Sequence, residues 1–229
     1  ISKLCAFNGR SEFILTVLEK ELSIMPGQQI MVLAHNKCLL EYLHDAIAHR
    51  QIGTVGYYVG GMKEPALKKS ETCQIIIATY AMASEALDIK TLTTLILATP
   101  KTDIVQAVGR ILRVKHARPL VVDIVDSHEV FLSQWQKRRK YYLQNNYTVM
   151  HTKSPLYVLD QWDQVPQAVK GKSKSKSTAS MNLSTASMST SNLLANGAAA
   201  AAQFINNFAQ HSYEDDDDED SMLKGHCFI

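Results

Sequence analysis

Alternation of apolar and polar stretches divides the first 165 residues into short buried strands and amphipathic helices. Five apolar runs of four to seven residues predict strands buried on both faces. These runs are 29–34, 54–59, 75–78, 93–98 and 120–126. Because helical patterns separate the runs, the sequence predicts an α/β fold with a mainly parallel sheet and helices on both faces.

Apolar stripes at helical spacing mark the segments between the strands. One stripe includes Phe13, Ile14 and Leu18 and predicts a helix from Glu12 capped by Ser11. Four further helices are predicted, together with two short extended segments near the end of the domain. The helices begin at Lys37, near Pro65, at Asp103 with Thr102 as its cap, and near His128 with Asp126 or Ser127 as its cap, and the extended segments are 148–151 and 156–159.

The composition changes at about residue 166. Residues 170–196 are rich in Ser, Thr, Ala and Asn with interspersed Lys, 198–202 are all Ala, and 214–220 are all acidic. Such a segment has too few large apolar groups to offset the entropy cost of ordering it. We expect one domain over residues 1–165 and a low-complexity, disordered tail over 166–229, with a short docking peptide at its end.

Charge and cysteine usage restrict the function only loosely. Five of 24 Lys and Arg and seven of 22 Asp and Glu lie in residues 167–229, which leaves residues 1–166 with a formal charge of +4. This balance is compatible with nucleic-acid binding. Four cysteines without metal-ligand spacing predict no metal site and favour a reducing, intracellular compartment. No apolar run reaches the ~20 residues that a membrane span needs.

The strongest chemical pattern is the segment from Gln106 to Arg113. Arg110 and Arg113 are three residues apart, so a helix places both on one face, where two planar guanidinium groups can bind one phosphate. Gly109 inside this helix costs up to ~1 kcal/mol relative to Ala, which predicts a close backbone approach there. The alternative is a surface helix with scattered arginines.

Further candidates follow the predicted strands, where parallel sheets collect ligands. Thr79 follows the strand 75–78, and Asp88 lies shortly after it. The loop 99–102 follows the strand 93–98 and precedes the arginine helix.

In order and spacing, the segments 74–89 and 106–113 resemble motifs V and VI of the superfamily 2 helicases. The likeness covers residues 1 to about 150 and is greatest to the second RecA-like domain of the excision-repair and phage-recombination type and of helicases from large cytoplasmic DNA viruses. Gln106, Gly109, Arg110 and Arg113 meet the motif VI pattern Gln-x-x-Gly-Arg-x-x-Arg.

The resemblance implies a set of roles. Arg110 and Arg113, with Gln106, would act catalytically on the γ-phosphate of ATP held by an N-terminal RecA-like domain. Asp88 and Gly109 would lie at the ATP, and Thr79 at the nucleic-acid backbone. ATP and Mg²⁺ are the implied cofactors, bound mainly by that N-terminal domain.

Other implied nucleic-acid contacts have structural alternatives. Gly60, Gly61 and Lys63 follow the strand 54–59 and would lie in the nucleic-acid channel, but a Gly-Gly pair is also a common turn. Asn36 follows the strand of motif IV, beside His35, which is as well explained as a loop or capping residue. The basic run 137–140 is either a solvated helix face or a contact to the nucleic-acid backbone.

The sequence thus predicts the C-terminal motor domain of an ATP-dependent helicase or translocase that acts on nucleic acid, with DNA favoured over RNA. No Gly-x-x-x-x-Gly-Lys-Ser/Thr segment and no Asp-Glu-x-His segment occurs, so we expect this chain alone to lack ATPase activity. The alternative is a non-enzymatic module that binds nucleic acid or a transcription partner. Transcription or repair partners would bind the tail, in a viral factory, virion or nucleus.

Overall fold

The computed structural model describes residues 2–85, 89–111, 116, 118–165 and 226–228. Within this part, eight strands form one sheet in the order β2-β3-β1-β4-β5-β8-β6-β7. The strands are β1 (Gln29–Ala34), β2 (Val55–Tyr58), β3 (Ile75–Thr79), β4 (Leu92–Leu97), β5 (Leu120–Val125), β6 (Met150–Lys153), β7 (Asp163–Gln164) and β8 (His226–Phe228). Strands β1 to β5 pair in parallel, which confirms the predicted mainly parallel sheet.

Helices connect the parallel strands and cover the sheet. They are α1 (Ser2–Cys5), α2 (Asn8–Ile24), α3 (Lys37–His49), α4 (Glu64–Ser70), α5 (Tyr80–Glu85), α6 (Val105–Ile111), α7 (Glu129–Gln144) and α8 (Ser154–Val158). Strands β1 and β3 lie in the middle of the parallel part, and nearly all their residues are buried.

Two apolar cores lie on opposite faces of the sheet. On β1, Met31 and Leu33 pack into one core, whereas Ile30 and Val32 pack into the other. This division follows from the alternation of side chains along a strand. The first core takes residues from α5, α6 and α7, and the second takes residues from α2 and α3, so both faces are covered as predicted.

Several element boundaries differ from the prediction. Helix α2 begins at Asn8 with Phe7 at its cap position, so Ser11 lies inside the helix, where its hydroxyl bonds the carbonyl of Phe7. Helix α7 is capped by the His128 side chain, which accepts a hydrogen bond from the amide of Val130, and not by Asp126 or Ser127.

The predictions after α7 are partly wrong. An extended segment near 148–151 is observed as β6, but the segment 156–159 is mostly helix α8, which starts at Ser154 with Pro155 in its first turn. Proline suits the first helical turn because the backbone N–H that it lacks would have no partner within the helix there. Residues 166–225 lie outside the described part, and 226–228 form β8, so the boundary near 165 and the predicted disorder stay predictions.

Candidate functional site

The carboxyl ends of β2, β3 and β1 bring together the residues predicted to contact nucleic acid. Ala34 is the register partner of Thr79, and Tyr58 is the partner of Ala78. Asn36, Thr79 and the loop 59–63 therefore follow three adjacent strands at the same edge of the sheet. Thr79 is partly exposed at the end of β3.

Asn36 has a structural task at this edge. Its Oδ1 accepts a hydrogen bond from the amide of Cys38, at 3.0 Å, and thereby caps α3. Such a cap satisfies one of the amides that the first turn of a helix leaves without a partner.

The loop after β2 forms an exposed turn. Gly61 has a φ of +89°, which L side chains rarely adopt, and a Cβ at Gly60 or Gly61 would meet open space. Lys63 is exposed at the cap position of α4. The left-handed backbone alone explains Gly61, so the turn and the nucleic-acid interpretation both remain.

Thr99, two residues after the end of β4, makes three hydrogen bonds to residues that directly follow β1 and β3. Its hydroxyl accepts from the amide of His35 at 3.0 Å and lies 2.9 Å from Nδ1 of the same residue. Its carbonyl accepts from the Tyr80 hydroxyl at 2.6 Å. Burial and the charge of Lys101 lower the pKa of His35, which favours a neutral ring whose Nδ1 accepts from Thr99. These bonds explain His35 structurally.

The loop between β4 and α6 is also held from the opposite side. Arg138 of α7 donates to the carbonyl of Lys101 at 2.6 Å and to both carboxylate oxygens of Asp123 at 2.7 and 2.9 Å. The Tyr142 hydroxyl donates to the same carboxylate at 3.3 Å. Burial raises the pKa of Asp123, and the adjacent guanidinium opposes that rise. The network fixes the backbone that leads into α6.

Helix α6 carries the residues of the arginine motif. It begins at Val105, two residues later than predicted, and Asp103 rather than Thr102 accepts from the Val105 amide, at 3.2 Å. Ala107 and Val108 are buried against the sheet, whereas Gln106 and Gly109 are exposed. The backbone of Arg110 belongs to α6; its side chain, Arg113 and Asp88 lie outside the described residues.

One expectation requires correction and another stays a prediction. No described atom lies within 4 Å of a Cβ built on Gly109, so the described residues make no close approach there, and an approach by a bound molecule stays a prediction. Arg138 is buried, and a solvated face or a nucleic-acid contact is therefore wrong for this member of the basic run. Lys137 and Lys140 remain exposed.

The sequence interpretation missed two buried ion pairs at this edge. One joins Arg138 to Asp123, and the other joins Arg10 of α2 to Asp126 by bonds of 2.8 and 3.2 Å. The available signal was an Asp inside a predicted buried strand, because a buried carboxylate requires a partner. The partners are distant in sequence, so the pattern could not identify them.

The described residues contain neither a metal-binding cluster nor a membrane-spanning helix. Across residues 2–85, 89–111 and 118–165, no group of three His, Cys, Asp or Glu side chains is placed to hold a metal ion. No helix there is long and apolar enough to cross a membrane.

Comparison with known proteins adds relatives from viruses. The sequence matches no model of a protein family. It is 40% identical over 154 residues to the protein of Acanthamoeba polyphaga mimivirus named "Putative ATP-dependent RNA helicase L396", covering 65% of this chain and 29% of that protein. It is 36% identical over 70 residues to "Uncharacterized protein 108L" of Invertebrate iridescent virus 3, covering 30% of this chain and 67% of that protein.

A solved structure shares the fold of this chain. The chain superposes on phage T4 UvsW with a TM-score of 0.52 and 18% identity, covering 64% of this chain and 34% of that one. The parallel sheet with helices on both faces is therefore the RecA-like fold. The chain is therefore related to proteins of large DNA viruses, one of which is named a putative ATP-dependent RNA helicase and is more than three times as long as the matched part, and the chain has a RecA-like fold.

Proposed function

We propose that this domain is the second motor domain of an ATP-dependent nucleic-acid helicase or translocase. Arg110 and Arg113 would stabilise the transferring γ-phosphoryl group of an ATP molecule bound to another RecA-like domain. The observation that supports this most directly is α6, whose inner face packs on the sheet while Gln106 and Gly109 are exposed. That outer face is open to a second domain.

The residues present suit only one side of an ATP site. Arginine and glutamine side chains on an exposed helix can bind phosphate oxygens. The sequence has no Gly-rich phosphate loop, and the described residues contain no cluster of metal ligands. We therefore assign the residues that would hold Mg²⁺ and the phosphate loop to the partner domain. The motif resemblance implies that Asp88 would contact the nucleotide from this side.

Nucleic acid would bind at the other half of the same edge. Asn36, Thr79 and the Gly60–Lys63 loop follow β1, β3 and β2, whereas the arginine helix follows β4. Strands β1 and β4 are neighbours. Closure of the ATP-binding domain against the β4 side of this edge would therefore move a nucleic-acid strand that is bound at the ends of β3 and β2. This arrangement supports coupling between ATP hydrolysis and movement of nucleic acid.

The decisive experiment measures ATP hydrolysis in a polypeptide that joins this domain to a first RecA-like domain. Arg110→Ala and Arg113→Ala should each lower nucleic-acid-stimulated kcat by about 10³-fold or more, as loss of an arginine finger does. Arg50→Ala is the matched control, since this residue follows α3 at the amino edge and binds Glu12. The chain of residues 1–229 alone should not hydrolyse ATP.

Other outcomes would change the assignment. Unaltered kcat in both variants, with nucleic acid still bound, would favour a non-enzymatic binding module. Measurable ATPase activity of the chain alone would contradict the assignment of the phosphate loop to a partner. Competition between single-stranded DNA and RNA for the joined polypeptide would test the preference for DNA, since the mimivirus relative is named an RNA helicase.

A further inference from the structure

Strand β8 occupies a gap between two parts of the sheet. It pairs antiparallel with β5 through Asp123, Ile124 and Val125, and antiparallel with β6 through residues 151–153. Strands β5 and β6 are not neighbours of each other, because β8 lies between them. Since adjacent strands are about 4.8 Å apart, the gap is one strand wide, roughly 9–10 Å from β5 to β6.

The far side of this gap is attached to the domain independently of β8. Val149 and Val165 are buried in one core, and Tyr157 of α8 is fully buried in the other. The Tyr157 hydroxyl donates to Glu21 at 3.2 Å, and its carbonyl accepts from Lys20. Side-chain packing therefore anchors the region around β6 to the domain through contacts that do not involve β8.

An empty gap would leave the facing backbone groups of β5 and β6 without partners. With β8 in place, Ile124 and Val125 of β5 and Thr152 of β6 are buried. Removing β8 would exchange its ladder hydrogen bonds for water and expose these residues, so a paired segment in the gap is favoured. Addition of a strand to open sheet edges is a recurring mode of peptide binding.

We propose that this gap, between residues 123–125 and 151–153, is a strand-addition site whose occupant is the C-terminal segment of the same chain. Only three residues of that segment pair with the sheet, so it enters and leaves reversibly. Sixty residues, 166–225, connect it to Val165. A tether of this kind gives an effective concentration up to the order of millimolar, so the chain's own segment outcompetes a second copy at micromolar concentration.

The test uses the full chain and a proline substitution. Cys227 is the central register partner of both Ile124 and Thr152, and proline at that position removes a ladder donor. In the Cys227→Pro variant, amide hydrogen exchange in 123–125 and 151–153 should accelerate at least about tenfold, with β1 unchanged. Leu223→Pro, which lies outside β8, is the matched control and should leave exchange unchanged.

A second measurement uses a fluorescein-labelled peptide of residues 221–229. By fluorescence anisotropy, it should bind the Cys227→Pro chain and bind the wild-type chain at least about tenfold more weakly, because the tethered strand competes. Equal binding to both chains, or no binding to either, would overturn the proposal. So would unchanged exchange, loss of protection that extends to β1, or a wild-type dimer at micromolar concentration.

Discussion

Helices α6 and α7 both lie next to the loop 99–104, but their polar residues have opposite surroundings. In α7, the side chain of Arg138 is 1% exposed, and its donors bind Asp123 and the carbonyl of Lys101. In α6, Ala107 and Val108 are buried, whereas the motif positions Gln106 and Gly109 are exposed. The arginine of α7 therefore belongs to the interior, whereas Gln106 and Gly109 of α6 lie at the surface.

The buried arginine of α7 and the exposed residues of α6 contribute differently to the stability of the fold. A buried arginine contributes to stability only together with its acid, because a charge left unpaired in the interior is costly. An exposed motif residue contributes little to stability and is free to serve a ligand. Substitutions in α7 should therefore change the free energy of unfolding, whereas substitutions on the outer face of α6 should change activity.

Arg138→Met should give the largest effect on stability. It leaves the carboxylate of Asp123 buried without its cation, and removal of one partner of a buried ion pair destabilises by about 3–5 kcal/mol. Chemical denaturation measures the free energy of unfolding. The matched control is Arg139→Met on the next, half-exposed residue of α7, which should change stability by no more than about 0.5 kcal/mol.

A double substitution separates the ion pair from simple packing. Asp123→Leu combined with Arg138→Met should be less destabilising than Arg138→Met alone, because no unpaired charge remains. A double variant as unstable as the sum of the single variants would show that the two side chains contribute independently.

Two glycines provide a smaller contrast between closed and open surfaces. A Cβ on Gly56 of β2 would lie 2.9 Å from Cα of Ser70 in α4, so Gly56→Ala should destabilise by about 1–3 kcal/mol. Gly109→Ala meets no described atom and removes a helical glycine, so it should change stability by between zero and about 1 kcal/mol in the favourable direction. Thermal unfolding measures both. A strongly destabilised Gly109→Ala would contradict the open outer face of α6.

The sequence predicted most of the parallel core because its strands are buried on both faces. Gln29–Ala34 coincides with β1, and the helix predicted to begin at Lys37 is observed as α3 from that residue. The wrong predictions arose where the same residues suit two different local structures. A buried Ser11 hydroxyl could bond its own helix instead of capping it, and Pro155 could open a helix where an extended segment was expected. Strand β8 escaped prediction because its partners lie about 75 and 100 residues away, and pattern analysis does not encode pairing.

The candidate site was predictable to the extent that its residues form local motifs. Gln106 and Gly109 are exposed on α6, and Thr79 ends β3 beside β1. The support beneath these residues was not predictable, since Arg138 binds a carboxylate on a different element and resembles its exposed neighbours in sequence. Only the fold shows which member of a basic run faces the interior.

Glu21 and Arg118 form an ion pair with one buried and one partly exposed partner, unlike the fully buried pair of Arg138 and Asp123. Substitution of Glu21 should give the smallest change in the free energy of unfolding. Glu21 is buried, its Oε2 lies 3.6 Å from Arg118, and the Arg118 side chain is 45% exposed. Burial raises the pKa of Glu21 above 4.5, and Arg118 opposes this rise. The folded state therefore holds the proton more tightly, so the contribution of Glu21 is greatest below pH 4.5 and decreases as the pH rises through the folded pKa.

Glu21→Gln removes this titration and keeps an acceptor for the Tyr157 hydroxyl, so it should change stability at pH 7 by about 1 kcal/mol or less. Denaturation at a series of pH values should show the advantage of wild type over the variant shrinking as the pH rises above 4.5. If that advantage instead grows with pH, Arg118 lowers the pKa of Glu21 by more than burial raises it. A partly exposed arginine would then stabilise a buried carboxylate as effectively as the buried guanidinium of Arg138 does.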